Sequence, residues 1–378
     1  VGGTAIAPDD FSDLDLGSIT IPAGQLSTTI DLSIVDDSLF ENDESVVLTL
    51  GAPTNATLGA TTVHTATITD NDTAPTVAFN AAAQSIGEAA GSTTASVTLS
   101  AASGLETIIP FTASGTAIDP DDYSDLDLGS LTIPAGQLST TVDLSIVDDS
   151  LFENDETVVL TLGAPTNATL GATTVHTATI TDNDTAPTVA FDAAAQSIGE
   201  AAGSTTASVT LSAASGLETI IPFTASGTAI DPDDYSDLDL GSLTIPAGQL
   251  STTVDLSIVD DSLFENDETV VLTLGAPTNA TLGATTVHTA TITDNDTAPT
   301  VAFDAAAQSI GEAAGSTTAS VTLSAASGLE TIIPFTASGT AIDPDDYSDL
   351  DLGSLTIPAG QLSTTVDLSI VDDSLFEN

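Results

Sequence analysis

One acidic motif returns along the chain at a fixed spacing of 112 residues. The motif IVDDSLFENDE begins at Ile34, Ile146 and Ile258, and its first nine residues begin again at Ile370. Repeats of solenoids and propellers are about 20–50 residues long, whereas a unit of this length can bury a core of its own. The chain is therefore predicted to be a string of similar domains, like beads on a string.

Apolar residues alternate with polar ones inside each unit. Val142, Leu144 and Ile146, for example, are separated by single polar residues. Gly, Pro, Asn or Asp interrupts such runs about every 8–12 residues, which is typical of antiparallel sandwiches, and no segment has the period of a helix. An all-β fold of tandem seven-stranded antiparallel, immunoglobulin-like β-sandwiches is predicted. The strands are expected near 77–80, 92–100, 106–113, 129–134, 140–147, 156–164 and 175–182.

The acidic turn and Pro187 in the segment TDNDTAPTVAF separate the last strand of one unit from the first strand of the next. The repeats are nearly the same throughout, and residues 113–224 and 225–336 are identical. The predicted domains are 1–76, 77–188, 189–300 and 301–378. The first domain then lacks its first strands and the fourth lacks its last, so we expect a window from a longer chain. The alternative is that the two partial units complete each other between neighbouring molecules of a filament.

The charge balance constrains the chain as strongly as the repeat does. The sequence has no Lys or Arg against 55 Asp plus Glu, which gives a formal net charge of -55. Like charges oppose a compact state. Disorder is nonetheless not expected, because 41% of the residues are hydrophobic and these are patterned rather than scattered. We therefore expect a folded protein that needs cations, with a bound metal ion as the counter-charge.

The missing positive charge excludes several classes of partner. Nucleic acids and anionic membranes are bound through Lys and Arg, and no apolar run approaches the ~20 residues of a membrane span. The absence of Cys excludes disulfides and thiolate metal sites. A chain without Lys or Arg also offers trypsin-like proteases no cleavage site. We expect an extracellular or cell-surface protein that neither binds nucleic acid nor inserts into a membrane.

The sequence does not favour an enzyme. Paired carboxylates can hydrolyse glycosides, but an aromatic fraction of 4% without any Trp offers no sugar-binding groove. No Ser lies in a nucleophile elbow, and no cationic side chain could bind a phosphate or an oxyanion. The single His of each repeat, which occurs as His64, His176 and His288, is interpreted as a structural residue.

Two stretches of the unit resemble the Calx-beta domain, a calcium-binding β-sandwich of sodium/calcium exchangers and of very large bacterial surface proteins. They are DDYSDLDLGSLTIPAGQLSTTVDLSIVDDSLFENDETVVLTL at 121–162 and ATITDND at 178–184. The resemblance covers the whole unit and hence nearly the whole chain. It implies a calcium cluster at one end of each sandwich, formed by loops that are distant in sequence.

The resemblance also implies the ligands. In the first complete unit they are Glu88, Asp122, Asp148, Asp149, Glu153, Glu156, Asp182 and Asp184. In the second complete unit they are Glu200, Asp234, Asp260, Asp261, Glu265, Glu268, Asp294 and Asp296. In the partial units they are Asp10, Asp36, Asp37, Glu41, Glu44, Asp70, Asp72, Glu312, Asp346, Asp372, Asp373 and Glu377. Two departures, the Asp-Asn-Asp closing triplet and Ser150 in place of a third Asp, leave the number of ions open at one or more per unit.

Coordination chemistry agrees with calcium. Ca²⁺ takes 6–8 oxygen ligands at about 2.3–2.6 Å, whereas Mg²⁺ needs tighter octahedral geometry and keeps its waters. Carboxylates gathered without a cation would repel one another, with raised pKa values or displaced loops as the result. Asp125, Asp127 and Asp143 are expected to be solvated strand or turn residues. The role of Asp155 is left open.

Near-identical tandem copies favour a structural function, because the number of units then sets the reach of the molecule. We expect a calcium-stabilised structural or adhesive repeat region of a secreted bacterial filament or giant adhesin, in which Ca²⁺ rigidifies the joints between domains. The expected partners are the neighbouring repeats of the same chain, with self-association into fibres as a further expectation. The alternatives are a calcium-sensing regulatory module and a surface module that binds a glycan or another ligand.

Overall fold

Strands dominate the structure, and the helical elements of its described residues are three single-turn 3₁₀ helices. The chain divides into two compact units, Val1–Asp184 (unit 1) and Thr185–Asn378 (unit 2). No helix in the described part of the chain is long and apolar enough to cross a membrane. A computed structural model describes residues 1–14, 17–126, 129–238, 241–341, 343–350 and 353–372.

Unit 1 contains fifteen strands and the 3₁₀ helix Glu88–Ala90 in its described residues. The strands are β1 (Gly2–Gly3), β2 (Phe11–Ser12), β3 (Ser33–Ile34), β4 (Glu44–Thr49), β5 (Val63–Ile68), β6 (Thr76–Phe79), β7 (Ala83–Gly87), β8 (Ser92–Leu99), β9 (Thr107–Gly115), β10 (Tyr123–Ser124), β11 (Ser130–Ile133), β12 (Ser139–Ile146), β13 (Glu156–Leu162), β14 (Thr169–Leu170) and β15 (Val175–Thr181).

The strands β6–β15 form two five-stranded sheets, in the orders β10-β12-β8-β6-β14 and β11-β9-β13-β15-β7. Neighbouring strands are antiparallel except for two parallel pairs, β14 with β6 and β7 with β15. The preceding strands form a three-stranded sheet, β1-β4-β5, and the pair β2-β3. The region from β6 to β15 is thus one complete sandwich.

Alternation along each strand directs one set of side chains into the core between the sheets. In β12, Val142, Leu144 and Ile146 are buried, whereas Thr141 and Asp143 are exposed, because successive side chains of a strand point to opposite faces. Both sheets contribute to one core, which shows that they pack face to face. The core residues of β6–β15 are Val77, Phe79, Ala95, Val97, Leu99, Val142, Leu144 and Ile146 from one sheet and Ile109, Phe111, Ile133, Val158, Leu160, Leu162, Ala178 and Ile180 from the other.

Unit 2 also contains one complete sandwich. Its strands are β16 (Thr188–Phe191), β17 (Ala195–Gly199), β18 (Ser204–Leu211), β19 (Thr219–Gly227), β20 (Tyr235–Ser236), β21 (Ser242–Ile245), β22 (Ser251–Ile258), β23 (Glu268–Leu274), β24 (Thr281–Leu282), β25 (Val287–Thr293), β26 (Val301–Phe303), β27 (Ser316–Leu323), β28 (Thr331–Pro334), β29 (Tyr347–Ser348), β30 (Ser354–Ile357) and β31 (Ser363–Ile370). Its 3₁₀ helices are Glu200–Ala202 and Glu312–Ala314. The complete sandwich has the sheets β20-β22-β18-β16-β24 and β17-β25-β23-β19-β21, and the following strands form β26-β27-β31-β29 and β28-β30.

The all-β sandwich prediction is confirmed, and all seven strands predicted between residues 77 and 182 are present. Three short strands, β7, β10 and β14, and the two parallel pairs are additional to the prediction. His176 is 2% exposed, and its Nδ1 lies 2.7 Å from the carbonyl oxygen of Ala81. This contact ties β15 to the turn before β7, so the structural interpretation of this His agrees with its surroundings.

Candidate metal centre

Strand pairing brings distant carboxylates to one end of each complete sandwich. The parallel pair β7–β15 ends with Gly87 opposite Thr181, so the next residues, Glu88 and Asp182, lie side by side. In the antiparallel pair β13–β15, Glu156 at the start of β13 lies opposite Ile180 near the end of β15. The loop before β13 therefore approaches the residues that follow β15.

Two further elements complete this end of the sandwich. Val147, which follows β12, donates its N–H to the carbonyl oxygen of Asp122 at 3.0 Å, so Asp122 lies at the start of the acidic loop between β12 and β13. Glu88 begins the 3₁₀ helix Glu88–Ala90, which is followed by Gly91 with φ of 76°. A positive φ is readily adopted by Gly. The chain thus turns sharply after Glu88 into β8.

Glu88, Asp182 and Asp184 form the first carboxylate group. One oxygen from each side chain lies within 4.8 Å of the others. Asp184 donates its N–H to Oδ1 of Asp182 at 3.0 Å, which fixes the turn after β15. Oδ2 of Asp184 is buried without a hydrogen-bond partner in the described structure, and so is Oδ2 of Asp296 in unit 2. Because an unpaired buried acceptor is costly, these oxygens are suited to a cation.

Asp122, Glu153 and Glu156 form the second carboxylate group, again with oxygens within 4.8 Å of one another. The carboxyl groups of Glu156 and Asp122 are hydrogen-bonded to each other. Oδ2 of Asp122 also accepts the N–H of Ile118 at 2.5 Å. Glu153 donates its N–H to Oδ2 of Asp182 at 3.1 Å, which joins this group to the first one.

The same two groups recur in unit 2, and residues from both line one cleft. The groups are Glu200, Asp294 and Asp296, and Asp234, Glu265 and Glu268. The cleft also contains Val259 and Ile292, which are apolar. The candidate metal centre of unit 2 is therefore a pair of adjoining carboxylate groups beside an apolar wall.

The first two acids of the repeated loop lie outside these groups. Oδ1 of Asp148 accepts the side-chain amide of Asn183 at 2.7 Å. Asp149 donates its N–H to Oε1 of Glu88 at 3.3 Å and accepts the N–H of Leu151 at 2.7 Å. In unit 2, Asp260 and Asp261 make the corresponding bonds to Asn295 and Glu200. These acids thus border the groups and hold the loop in place.

The first part of unit 1 holds one such group, Asp10, Glu41 and Glu44. A cleft brings this group together with the remaining predicted ligands of that part, which are Asp36, Asp37, Asp70 and Asp72. Glu41 donates its N–H to Oδ2 of Asp70 at 3.1 Å, as Glu153 does to Asp182. This part of the chain therefore has one group and the same linking hydrogen bond.

The last part of unit 2 has no three-carboxylate group in its described residues. Glu312 begins the 3₁₀ helix Glu312–Ala314, and the carbonyl oxygen of Asp346 accepts the N–H of Val371 at 3.0 Å. Asp372 follows β31. The predicted ligands Asp373 and Glu377 lie outside the described residues.

Burial, together with neighbouring carboxylates, raises the pKa of several glutamates in these groups. Burial, followed by the hydrogen bond that protonated Glu156 donates to Asp122, raises the pKa of Glu156 to about 8. The same causes raise the pKa of Glu268 to about 7, and that of Glu44 to about 7. Burial and then neighbouring carboxylates raise the pKa of Glu153 as well. These glutamates thus retain their protons to a higher pH than an ordinary carboxyl does, unless a cation replaces the protons.

The stability of the metal-free protein is expected to fall as the pH rises from 5 to 8.5. A carboxyl whose pKa is higher in the folded state than in the unfolded state stabilises the fold fully below its unfolded pKa of 4.5, and this contribution is lost as the pH passes 7–8. Melting temperatures of metal-free protein, followed by circular dichroism across this range, measure the effect.

Glu156→Gln together with Glu268→Gln provides the control for this pH dependence. Glutamine keeps the shape of each side chain and needs no proton to donate to Asp122 or Asp234. The melting temperature of the double variant is expected to change less with pH than that of the wild type. An equal slope for both proteins would show that these two carboxyls do not cause the pH dependence.

The donor set fits a calcium ion. All three ligands of each group are carboxylate oxygens, which are the donors that Ca²⁺ prefers. Oxygens on opposite sides of one Ca²⁺ are about 5 Å apart, so groups with separations up to 4.8 Å can share an ion. Buried carboxylate oxygens without hydrogen-bond partners, such as Oδ2 of Asp184, also favour a bound cation at this place.

Two contributions to the site are additional to the predicted ligands. Asn183 donates its amide to Asp148, and Oδ1 of Asp155 accepts the N–H of Asp182 at 3.3 Å. Asp155, whose role the sequence leaves open, therefore positions the backbone of a predicted ligand. The position of Asn183 between two acids is the sequence signal for its role, because an amide there can reach carboxylates on either side.

Comparison with known proteins assigns the family. The family model described as the Calx-beta domain matches residues 1–72, 70–184, 182–297 and 294–378. These four matches cover nearly the whole chain.

Curated relatives include Extracellular matrix protein 3 of Lytechinus variegatus, 27% identical over 74% of this chain and 10% of that protein. Extracellular matrix organizing protein FRAS1 of Mus musculus is 28% identical over 77% of this chain and 8% of its own length. Sodium/calcium exchanger 1 of Bos taurus is 25% identical over 43% of this chain and 19% of its own length. The chain thus spans a tenth or less of the two matrix relatives.

A solved structure among the matches is the "Crystal structure of CBD12 from CALX1.2", 20% identical over 57% of this chain and 99% of that one, with a TM-score of 0.27. The family match rests instead on the repeated sequence itself, and the repeated carboxylate groups fall within the matched ranges. The chain belongs to the Calx-beta domain family, as a tandem array of four such domains.

Proposed function

We propose that the chain is a calcium-stabilised structural or adhesive repeat region of a secreted bacterial filament or giant adhesin. In this proposal Ca²⁺ binds at the acidic end of each domain and rigidifies the joint to the next domain. The observation that carries the proposal is a contact within each unit between an acidic loop and the following predicted domain.

The contact in unit 1 joins Phe40, in the acidic loop of residues 1–76, to Ser103 of the following sandwich. The two residues form a parallel β-bridge. The Ser103 hydroxyl and the N–H of Gly104 each donate to the carbonyl oxygen of Phe40 at 3.1 Å. Ser103 is 1% exposed, so these hydrogen bonds are shielded from water.

Unit 2 contains the same contact, between Phe264 and Ser327. The Ser327 hydroxyl and the N–H of Gly328 both donate to the carbonyl oxygen of Phe264 at 3.1 Å. Ser327 is 3% exposed. The contact therefore recurs in both units, with the same residue types and the same hydrogen bonds.

Glu41, a member of the carboxylate group formed with Asp10 and Glu44, takes part in this contact. The side chain of Glu41 packs so closely on Gly104 that a Cβ atom at this glycine would collide with it. Glu265 packs on Gly328 in the same way. Phe40 and Glu41 are adjacent in sequence, so an ion that orders the loop through Glu41 also orders the residue that bonds to the next domain. Metal binding and joint stiffness are thereby coupled through two consecutive residues.

Other observations support a structural role outside the cell. Two relatives are named as extracellular matrix proteins. The chain has no Lys or Arg, which removes every site for trypsin-like proteases. Identical copies suit a spacer whose length depends on their number, whereas a sensor needs only one or two specialised domains. Neighbouring repeats are the primary partners in this proposal, and self-association into fibres is a second property that electron microscopy can test.

Small-angle X-ray scattering of the whole chain tests the proposal. EDTA is expected to reduce the maximum dimension and to increase the spread of distances, because the acidic loops then lose the ions that hold Phe40 and Phe264 in place. The measurement is made in about 0.15 M salt, where the Debye length of about 8 Å screens repulsion between domains.

Restoration by calcium is the control for the scattering experiment. Excess Ca²⁺ is expected to restore the original scattering curve, whereas Mg²⁺ at the same ionic strength is not, because it keeps its waters. Identical curves with Ca²⁺ and with EDTA would refute stiffening of the joints by calcium.

A further inference from the structure

The outward side of the sheet β11-β9-β13-β15-β7 has no charged residue along its described strands. Because buried and outward residues alternate, the strands contribute only Thr, Ser, Val, Ile, Pro, Ala and Gly to that side. Cross-strand neighbours on it include Thr157 with Thr179 and Thr161 with Thr112. We call this surface the threonine face. Unit 2 has the same surface on the sheet β17-β25-β23-β19-β21.

A surface without charge stands out in this chain, which has 55 Asp plus Glu and no Lys or Arg. The opposite sheets expose Asp143 and Asp255 on their outward sides, and the carboxylate groups lie at one end of each sandwich. The threonine face is also partly apolar, because Ile108 and Val175 are 38% and 42% exposed there. The face thus combines hydroxyl groups with exposed apolar side chains and lacks the carboxylates found on other surfaces of the domain.

Charge decides which partner fits the threonine face. Like charges placed against each other oppose association, so two copies of an acidic chain can meet only where carboxylates are absent. A cationic partner is attracted to the acidic end of the sandwich and not to a face without charge. The threonine face therefore fits a second copy of this chain.

We propose that the threonine faces of separate molecules pack against each other and join the chains side by side. This inference rests on the self-association included in the proposed function, and it names the surface that becomes buried. Contact between two such faces removes Ile108, Val175 and their neighbours from water without burying a carboxylate. Calcium binding and chain association then use different parts of each domain.

The size of the threonine face makes this association depend on repetition. Five strands that are about 4.8 Å apart, with about 3.3 Å per residue along each strand, give a face of about 500 Å². A stable interface buries about 800 Å² on each partner. One face alone forms a weak contact, whereas faces repeated on successive domains strengthen one another through avidity.

Sedimentation velocity of the whole chain in Ca²⁺, at about 0.15 M salt and over a range of protein concentrations, tests the proposal. The wild type is expected to form species larger than the monomer as its concentration rises. Thr177→Glu combined with Thr289→Glu places a carboxylate on both threonine faces. This variant is expected to associate at least about tenfold more weakly, because the chain has no Lys or Arg to pair with a buried charge.

Ser96→Glu combined with Ser208→Glu is the matched control. These serines lie on the outward sides of β8 and β18, in the opposite sheets, and are half-buried like Thr177 and Thr289. The control adds the same charge to the same two sandwiches. It is expected to associate as strongly as the wild type.

Thr112→Glu combined with Thr224→Glu is a second variant of the threonine face. Both threonines are exposed, on β9 and β19, so their exchange places less demand on the fold. This variant is also expected to associate at least about tenfold more weakly than the wild type. Circular dichroism melts in Ca²⁺ verify that each variant is folded, and either pair of substitutions is sufficient for the test.

The results separate this inference from the proposed stiffening by calcium. A wild type that stays monomeric, or a folded threonine-face variant that associates as strongly as the wild type, would overturn the inference. An equal loss of association in the control variant would overturn it too, since added charge anywhere would then oppose association. If threonine-face variants alone lose association while EDTA leaves the scattering curve of the dilute monomer unchanged, the inference stands and only the stiffening is refuted.

Discussion

Removal of calcium with EDTA is expected to lower the melting temperature of the protein by about 20 °C. An ion present at 100 times its dissociation constant stabilises the folded state by about 2.7 kcal/mol, so two ions contribute about 5 kcal/mol to a domain. For a domain of roughly 100 residues, 1 kcal/mol corresponds to about 4 °C. The expected loss is large because the ions also relieve repulsion within each carboxylate group. Differential scanning calorimetry with and without EDTA measures it.

The calorimetric experiment needs a control for ionic strength. Added NaCl or Mg²⁺ at matched ionic strength is expected to recover only a small part of the lost stability, because screening acts on all exposed carboxylates and not on the two groups in particular. If the melting temperature in Ca²⁺ and that in EDTA differed by only a few degrees, the acidic ends would be solvated surfaces that bind no stabilising ion.

Glu156→Gln combined with Glu268→Gln is expected to change stability in opposite directions with and without calcium. In Ca²⁺ the variant loses a charged ligand in each complete domain, and the affinity should fall at least tenfold, since loss of an outer-shell partner alone costs about 10–100-fold. Without Ca²⁺ at pH 8 the variant should melt at a higher temperature, because a neutral amide avoids the burial of charge, and then the repulsion, that raise the pKa of Glu156. Titration calorimetry and thermal melts measure the two effects.

Asp143→Asn with Asp255→Asn provides the matched control for this sign reversal. Both acids are exposed on outward faces of β12 and β22, and the exchange removes the same charge. Surface substitutions of this kind usually change stability by no more than about 0.5 kcal/mol. If the Glu156 and Glu268 variant were destabilised equally in both conditions, the two residues would be structural and not ligands.

The sequence predicts the strands well because each long strand has a local signal. β12 and β13 alternate buried and outward residues, and their packing follows directly from that alternation. β7 lacks such a signal, because Ile86 is the only large apolar residue in Ala83–Gly87. Its parallel pairing with β15 joins segments about 95 residues apart, and a local pattern cannot reveal a partner at that distance. The boundaries of the four predicted domains stay a prediction.

The site was predictable as a set of acids but not as an arrangement. Which carboxylates share a group depends on register, and register places Asp122 with Glu156 and leaves Asp148 to Asn183. Asp155 illustrates the same limit, since its side chain holds the backbone of Asp182 instead of joining a group. Residue type predicts the chemistry, whereas the pairing of β7, β13 and β15 decides which atoms meet.

The group that joins Glu88 to Asp184 closes a chain segment of 96 residues, from near the first strand of a sandwich to the turn after its last. The two complete sandwiches offer identical partners, so Glu88 could be matched chemically by Asp296, 208 residues away. Loop-closure entropy favours the nearer partner by only about 0.7 kcal/mol. Domain swapping between copies is therefore weakly opposed at equilibrium. Correct assembly depends on each domain folding before its successor becomes available, as happens when a chain folds from one end.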